Sequence, residues 1–319
     1  VMKGSKGTKM PRGDKKQVLD FIIPDFKKNE QKAISKVLSD LDSKISLNDR
    51  INRELEAMAK LIYDYWFVQF DFPYSPPSEG SPQEGVGIGK PYKSSGGKMV
   101  YNEELKREIP EGWEVKELGE VSSIKAGGDK PKVLSSIKTE TCKIPIYSNG
   151  LENEGLYGFT DQAKFFKPSI TVTGRGANVG HSVLRTRPFL PIIRLLVITP
   201  EHSSHSRFLY ERIKELNFQN SGSAQPQITV PQISSLKVLM PNSGLTRKYD
   251  EVTSSGVLVV ENNKEQNQKL SELRDWLLPM LMNGQVTVGE GKLSESGYSG
   301  LKDDQDLNIA AEERGEYGA

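Results

Sequence analysis

An uninterrupted heptad pattern near the start of the sequence constrains the fold more than any other feature. No proline or glycine occurs from Glu30 to Phe72, and apolar residues and asparagines recur at alternating spacings of four and three from Ile34 to Trp66. This spacing predicts one long helix with a single buried stripe. Such a helix is longer than most helices of globular proteins, so it needs a partner along its side.

A second heptad run near the other end of the sequence repeats the first. It extends from Val260 to Leu281 and stops before Asn283–Gly284, a pair typical of helix ends. Because helices joined through a large domain can run antiparallel, we expect the two to meet in one seam as an antiparallel coiled coil. Paired asparagines there would fix the register, and the alternative is that they face solvent at the seam edge. The predicted seam residues are Asn48, Asn52, Leu55, Ile62, Asn263, Asn267, Leu270 and Leu277.

The composition between and around the two helices predicts an α+β protein. Short β-like runs separated by glycine- and asparagine-rich turns indicate one mixed α/β domain. A stretch rich in proline, glycine and serine precedes it and is typical of a flexible linker. The predicted boundaries are a remnant of a preceding domain at 1–29, the first long helix at 30–72, the linker at 73–108, the mixed domain at 109–241, the second long helix at 242–285 and an acidic disordered tail at 286–319.

Four aromatic residues crowd the end of the first predicted helix. We expect them to pack against the base of the mixed domain, and the alternative is a docking surface for a partner protein. They are Trp66, Phe67, Phe70 and Phe72.

Several protein classes are excluded or disfavoured by composition. No apolar run reaches the 18 residues of a membrane-spanning helix, so no membrane partner is expected. The single cysteine, Cys142, cannot form an internal disulfide, which favours the cytoplasm. The middle of the chain is basic and its end acidic, which indicates a polyanionic partner or only chance variation.

Motifs for catalysis are weak throughout the sequence. Asp25, Glu30 and Lys32 imitate a nuclease signature, but the spacing is short and no core strand would aim the carboxylates at a metal. Gly85–Lys90 lacks the first glycine and the final hydroxyl residue of a phosphate-binding loop. His202 and His205 have no third metal ligand close in sequence. We therefore predict neither a catalytic site nor a bound metal or cofactor.

The order of several short motifs resembles the DNA-specificity subunit of type I restriction–modification enzymes over about residues 5–285. None of these motifs is specific alone, but their order together with the repeated helix is typical of that family. They are Asn48–Glu56, Ile109–Glu120, Ser148–Gly150, Gly174–Gly180 and Asn220–Ile228.

The resemblance implies a fold and a function. Members carry two target-recognition domains separated by two conserved helices that pack as an antiparallel coiled coil, and each domain reads half of a split site in double-stranded DNA. Methyltransferase (modification) subunits dock on this frame, and nuclease–translocase (restriction) subunits join them. The specificity subunit itself catalyses nothing.

The sequence departs from the family pattern because it carries one complete recognition domain. It is therefore expected to be a partial or half-size subunit: a truncated reading frame, a half-subunit that forms a homodimer, or a recombination cassette. Our first hypothesis is a DNA-reading subunit. The alternatives are a scaffold that docks the methyltransferase without reading DNA and, with little support, an autonomous nuclease.

Loops of the mixed domain supply the candidate DNA contacts. Phosphates are bound by lysine, arginine and backbone amides, whereas bases are read by arginine, lysine, asparagine, glutamine and hydroxyl side chains. The alternative is an ordinary turn for the first two loops. For the third it is that the glycines serve strand packing and Arg175 is a solvated surface charge, and for the last it is anchoring of the domain to the helix. The candidates are Lys125, Lys130 and Lys132 in a glycine loop, Tyr147, Ser148 and Asn149, then Arg175 and Asn178, and finally Ser223, Gln225 and Gln227.

Overall fold

The computed structural model describes residues 24–75, 85–176, 178–216 and 227–288, and these form a mixed helix and sheet protein. The chain divides into two compact units. One contains residues 1–51 and 262–319, and the other contains residues 52–261. The predicted remnant up to residue 23, the tail from residue 289, and the candidates Ser223 and Gln225 lie outside the described residues.

Two long helices dominate the helical part. Helix α1 spans Lys28–Tyr63, and Glu30 in its first turn accepts a hydrogen bond from the Lys27 backbone amide at 2.8 Å. The last helix spans Ser243–Met282 and is followed by Gly284 in the left-handed region, at φ +70°. Both helices occur where the heptads predict them, because a periodic apolar stripe is a local signal.

The first helix ends earlier than the sequence predicts. A π-helical turn, Asp64–Val68, follows Tyr63, and Phe70 adopts a left-handed conformation at φ +68°. This change of winding turns the aromatic residues that follow into the core, where Phe70 is 3% exposed and Phe72 is 7% exposed. The continuous helix to residue 72 is therefore wrong, since burial of these rings outweighs a straight helix.

The mixed domain is built mainly from short antiparallel strands. Those before it and at its start are β1 (Pro73–Ser75), β2 (Gly85–Pro91), β3 (Met99–Asn102), β4 (Arg107–Pro110), β5 (Glu114–Glu117) and β6 (Ser122–Ala126). Those that follow are β7 (Ile144–Tyr147), β8 (Leu156–Thr160), β9 (Ser169–Val172), β10 (Ser182–Arg185), β11 (Leu190–Pro191), β12 (Leu196–Pro200) and β13 (Lys237–Met240). The shorter helices are α2 (Leu118–Val121), α3 (Ser206–Lys214) and α4 (Val230–Ser234), so the long last helix is α5.

The central sheet has the strand order β10-β9-β12-β6, with neighbours antiparallel throughout. A second sheet has the order β11-β7-β8, and the pairs β13-β5, β3-β4 and β1-β2 complete the domain. Strands β9 and β12 are buried on both faces at most positions, so they form the middle of the core.

An aromatic cluster fills the core of the larger unit. The Phe67 ring lies 4.7 Å from that of Phe208 and 5.3 Å from that of Tyr249, and Tyr63 and Trp66 adjoin it. These contacts confirm the packing prediction for the aromatic residues at the end of the first helix.

The predicted linker at 73–108 is wrong for its described part. Strands β1 to β4 lie within it or at its end, and Tyr92 is 7% exposed. The Tyr92 ring stacks on Phe72 at 4.6 Å, and Phe72 stacks on Trp113 at 5.6 Å. Gly97 lets the chain pass the Tyr92 ring, because a Cβ there would lie 2.5 Å from it. A few aromatic contacts fold a segment whose composition is typical of a linker.

Candidate nucleic-acid interface

Loops carrying most of the described candidates leave the same end of the central sheet. Leu196 pairs with both Ala126 and Val172, and Ser182 pairs with Val172, so these four strand ends are aligned. The chain after β6, the β9–β10 turn and the turn before β12 therefore emerge side by side. Strand register brings Lys125 and Arg175 to the same end of the sheet, and register cannot be predicted from a local sequence pattern.

The glycine loop after β6 packs directly on the turn before β12. The Gly127 amide donates to the Leu195 carbonyl at 2.8 Å, and the Ile193 amide donates to the Gly128 carbonyl at 2.9 Å. A Cβ on Gly127 would lie 2.9 Å from the Ile192 backbone nitrogen, so this approach requires glycine. Gly127 is therefore held by packing against the neighbouring turn.

Asn149 ties three loops together. Its Nδ2 donates to the Ile193 carbonyl at 2.5 Å, and its Oδ1 accepts from the Gly174 amide at 3.3 Å. The preceding Ser148 is held by its own amide, which donates to the Gly155 carbonyl at 2.8 Å. The side chain of Asn149 thus joins the turn before β12 to the β9–β10 turn.

Tyr147 is packed between other side chains. The Arg185 guanidinium lies 3.6 Å from the centre of its ring, and the Phe189 ring lies 5.9 Å away. Burial raises the pKa of the Tyr147 phenol, which the nearby Arg185 charge opposes. Arg185 is itself held by an ion pair to Glu154 at 3.1 Å.

Exposed cations lie on or beside these loops. Lys125, Lys130, Lys132 and Arg175 are all exposed, and Asn178 is half-buried in its turn. Lys130 bonds the Tyr157 hydroxyl and lies 4.5 Å from the centre of that ring. Arg175 forms a backbone bridge with Gln227, which is also exposed.

Sequence reasoning missed the turn that these loops converge on. Ile193 and Arg194 are exposed and adopt the left-handed conformation, at φ +53° and +58°. The positive charge of Arg194 was the one signal in the sequence. It was not enough, because Arg194 lies far along the chain from the other candidates. Only the tertiary contacts of Gly128 and Asn149 reveal its position.

The predicted helix seam has a polar centre in the smaller unit. Asn48 is fully buried, and its Nδ2 donates to Asn267 Oδ1 at 2.8 Å and to Gln266 Oε1 at 3.1 Å. Asn267 donates in turn to Asp49 Oδ1 at 2.7 Å. Arg274 pairs with Asp42 at 2.9 Å.

The remaining predicted seam residues show graded burial. Asn52 is 6% exposed, and its predicted partner Asn263 is half-buried. The apolar members Leu55, Ile62, Leu270 and Leu277 are also half-buried. In the larger unit Leu55 lies 3.7 Å from the position that a Cβ on Gly256 would take.

The described ranges contain neither a metal-binding cluster nor a helix that could span a membrane. Among these residues no group of three or more histidine, cysteine, aspartate or glutamate side chains is arranged to hold a metal ion. None of the described helices is long and apolar enough to cross a membrane.

Comparison with known proteins identifies relatives over most of the chain. Type I restriction enzyme MjaIX specificity subunit of Methanocaldococcus jannaschii is 25% identical over 305 residues, which cover 90% of this chain and 65% of that protein. Type I restriction enzyme HindI specificity subunit of Haemophilus influenzae is 23% identical over 319 residues, covering 84% of this chain and 69% of that protein. The chain thus spans about two thirds of the length of these relatives.

A solved structure and a family model complete the comparison. The crystal structure of a type I restriction-modification system S subunit from M. genitalium aligns with a TM-score of 0.49 at 19% identity, covering 88% of this chain and 68% of that one. Residues 110–271, slightly more than half of the chain, match the family model described as type I restriction modification DNA specificity domain. The chain therefore belongs to the type I restriction modification DNA specificity family.

Proposed function

We propose that this chain is a noncatalytic DNA-specificity subunit that directs a type I restriction–modification complex to its target. One observation carries the proposal beyond family membership. Turns from separate parts of the sequence meet at one end of the central sheet, where Lys125 near the end of β6 and Arg175 and Arg194 in the turns are exposed to solvent. Clustered cations on loops fixed by a rigid sheet are suited to duplex DNA, since they bind phosphates while neighbouring polar side chains reach base edges.

Rigidity of the loops supports recognition rather than nonspecific attraction. Asn149 and the backbone bonds of Gly127 and Gly128 hold the turns against each other. A surface whose loops are already ordered loses little conformational freedom when it binds. We infer that Arg175, Asn178 and Gln227 face the bases, with the lysines at the phosphates.

The two long helices are proposed to form an antiparallel coiled coil that sets the spacing of the complex. In the smaller unit, Asp42 pairs with Arg274 while Asn48, further along α1, pairs with Asn267, which lies earlier in α5. This reversed order is what antiparallel helices require. Buried Asn48 would fix the register, as polar residues in such seams do.

The partners follow from this assignment. A noncatalytic specificity subunit needs methyltransferase subunits for modification and nuclease–translocase subunits for cleavage, and we propose the cytoplasm as their common location. We also propose a complex that contains two copies of this chain, which would read a symmetric split site.

The decisive experiment is assembly with the cognate methyltransferase subunit. The mass of the complex is measured by light scattering, with a duplex enriched from a random-sequence pool, with a scrambled duplex and without DNA. We expect a stable complex that retains the enriched duplex and releases the scrambled one as salt is raised.

Two results would contradict the proposal. Binding to the methyltransferase with no sequence preference at any salt concentration would leave a scaffold that does not read DNA. Metal-dependent DNA cleavage by the chain alone would make it a nuclease. The measured mass also tests the two-copy complex, since one copy per DNA-bound particle would exclude it.

A further inference from the structure

The turn between β11 and β12 has an unusual backbone. Ile193 has φ +53° and Arg194 has φ +58°, so two successive residues with side chains adopt the left-handed conformation. Glycine and asparagine adopt it easily, whereas a β-branched residue such as isoleucine does so only at a cost in strain. Strained positions of this kind persist only where surrounding contacts impose them.

The surrounding contacts hold this turn on every side. The Ile193 amide donates to Gly128 and its carbonyl accepts from Asn149, at 2.9 and 2.5 Å. The Arg194 amide donates to the Gly127 carbonyl at 3.2 Å. The flanking residues Ile192 and Leu195 are buried, at 0% and 3% exposure, and anchor the turn in the core.

The side chains at the apex of the turn face outward. Ile193 is 49% exposed, although the apolar residues that flank the turn, Ile192 and Leu195, are buried. The Arg194 guanidinium makes no hydrogen bond or ion pair with any residue that the structure describes, and it is exposed. A half-exposed isoleucine in a strained conformation adds little to the stability of the fold. We therefore look for its role in the binding of a partner.

We propose that Ile193 is a DNA-contacting residue that places an apolar side chain against base edges, with Arg194 on the adjacent phosphate. Apolar side chains recognise the thymine methyl group and the faces of partly unstacked bases, which polar loops cannot do. The inference rests on the proposed function, because it places this turn at the centre of the cationic sheet end. It assigns DNA contacts to two residues outside the sequence-derived candidates, a base contact to Ile193 and a phosphate contact to Arg194.

The experiment compares variants in the complex assembled with the methyltransferase subunit. Ile193→Asn and Ile193→Gly remove the apolar group while keeping a residue that tolerates the left-handed conformation. Arg194→Ala removes the charge. Phe166→Ala and Lys167→Ala are matched controls, since both residues are exposed and precede β9 at the opposite end of the sheet. Affinity for the enriched and scrambled duplexes is measured at several salt concentrations.

We expect both Ile193 variants to weaken binding of the enriched duplex about tenfold, the loss for one apolar side chain, with little change for the scrambled duplex. Their melting temperatures should be no lower than that of the unaltered chain. Arg194→Ala should weaken both duplexes and reduce the slope of log affinity against log salt by about one. The control variants should bind both duplexes normally.

Unchanged affinity in both Ile193 variants, while the unaltered complex prefers the enriched duplex, would overturn the inference and leave the proposed function intact. Equal loss on both duplexes would also overturn it, since base contact requires selectivity. An unaltered complex without any sequence preference would instead refute the proposed function itself.

Discussion

Burial of His205 makes the folded chain sensitive to acid. The residue is 8% exposed, and neither ring nitrogen has a hydrogen-bond partner among the described residues. Burial lowers the pKa of this imidazole from its ordinary value of 6.5; the neighbouring His202 acts in the same direction and Glu201 opposes it. The unfolded chain therefore binds this proton at a higher pH than the folded chain does.

The sign of the pH effect follows from this difference. The stability that neutral His205 contributes is complete above pH 6.5 and is lost as the pH falls toward the lower folded pKa. We expect His205→Leu to flatten the decline of melting temperature between about pH 7 and about pH 5. His181, whose pKa burial also lowers, should leave a residual decline. An unchanged profile in the variant would show that His205 does not control acid stability.

Arg175 is the sequence-derived candidate best placed to read a base. It is exposed at the aligned strand ends, and its backbone bridges to Gln227. We expect Arg175→Ala to weaken binding of the enriched duplex by about 1–3 kcal/mol and to relax the preference at one base position. Arg187→Ala is the matched control, because Arg187 is exposed beyond β10 at the other end of the sheet. Equal affinity and equal base preference in the two variants would show that Arg175 does not read a base.

Among the elements, the proposed seam between the long helices has polar contacts in the smaller unit. The buried Asn48 amide holds two side chains of α5, whereas its own Oδ1 has no partner among the described residues. A buried polar group with incomplete bonding lowers stability but discriminates against shifted registers. The asparagine pairing could be predicted from the repeat, yet the participation of Gln266 and Asp49 could not, because it depends on rotamers.

The seam makes a measurable contribution to folding. We expect Asn48→Ala to lower the free energy of unfolding by about 1–2 kcal/mol, because the amide groups of Gln266 and Asn267 lose a partner. Asp42→Ala, which removes the exposed pair with Arg274, should cost less than about 1 kcal/mol. Chemical denaturation of the two variants gives the comparison. A smaller loss for Asn48 than for Asp42 would contradict the central role of the asparagine.

The segment before the mixed domain shows where composition misleads. Glycine, serine and proline are frequent there, and a window average predicts a linker. Three aromatic contacts decide its structure instead, since Tyr92 stacks on Phe72 and meets Tyr74 edge-on at 4.9 Å, while Phe72 stacks on Trp113. Such contacts join residues distant in sequence and leave no periodic signal.

Removing the Tyr92 ring from this stack tests the fold of the segment. Tyr92→Ala should destabilise the chain by about 3 kcal/mol or more, the usual cost of deleting a buried aromatic side chain. It should also make the segment from residue 85 to residue 98 sensitive to brief proteolysis. Tyr101→Ala is the control, because Tyr101 is 56% exposed. Equal stability of the two variants would restore the linker interpretation.

For the whole molecule, the sequence predicts the parts better than their arrangement. The heptads specify both helices because their period is local, and the turn motifs indicate the candidate loops. The alignment of four strand ends depends on the order β10-β9-β12-β6, which no local pattern encodes. The meeting of Gly128, Asn149 and Ile193 depends on that order together with the pairing of β7 and β11, so the interface emerges only in the folded chain.

The cations at this end of the sheet should determine how DNA affinity of the whole complex depends on salt. Each phosphate contact releases about one counterion, so the slope of log affinity against log salt reports the number of contacts. Lys125 is exposed near the end of β6, and its side chain has no ionic partner among the described residues. We expect Lys125→Ala to reduce the slope by about one and to weaken enriched and scrambled duplexes alike. Lys167→Ala should leave the slope unchanged. An equal change of slope in both variants would contradict DNA binding at this end of the sheet.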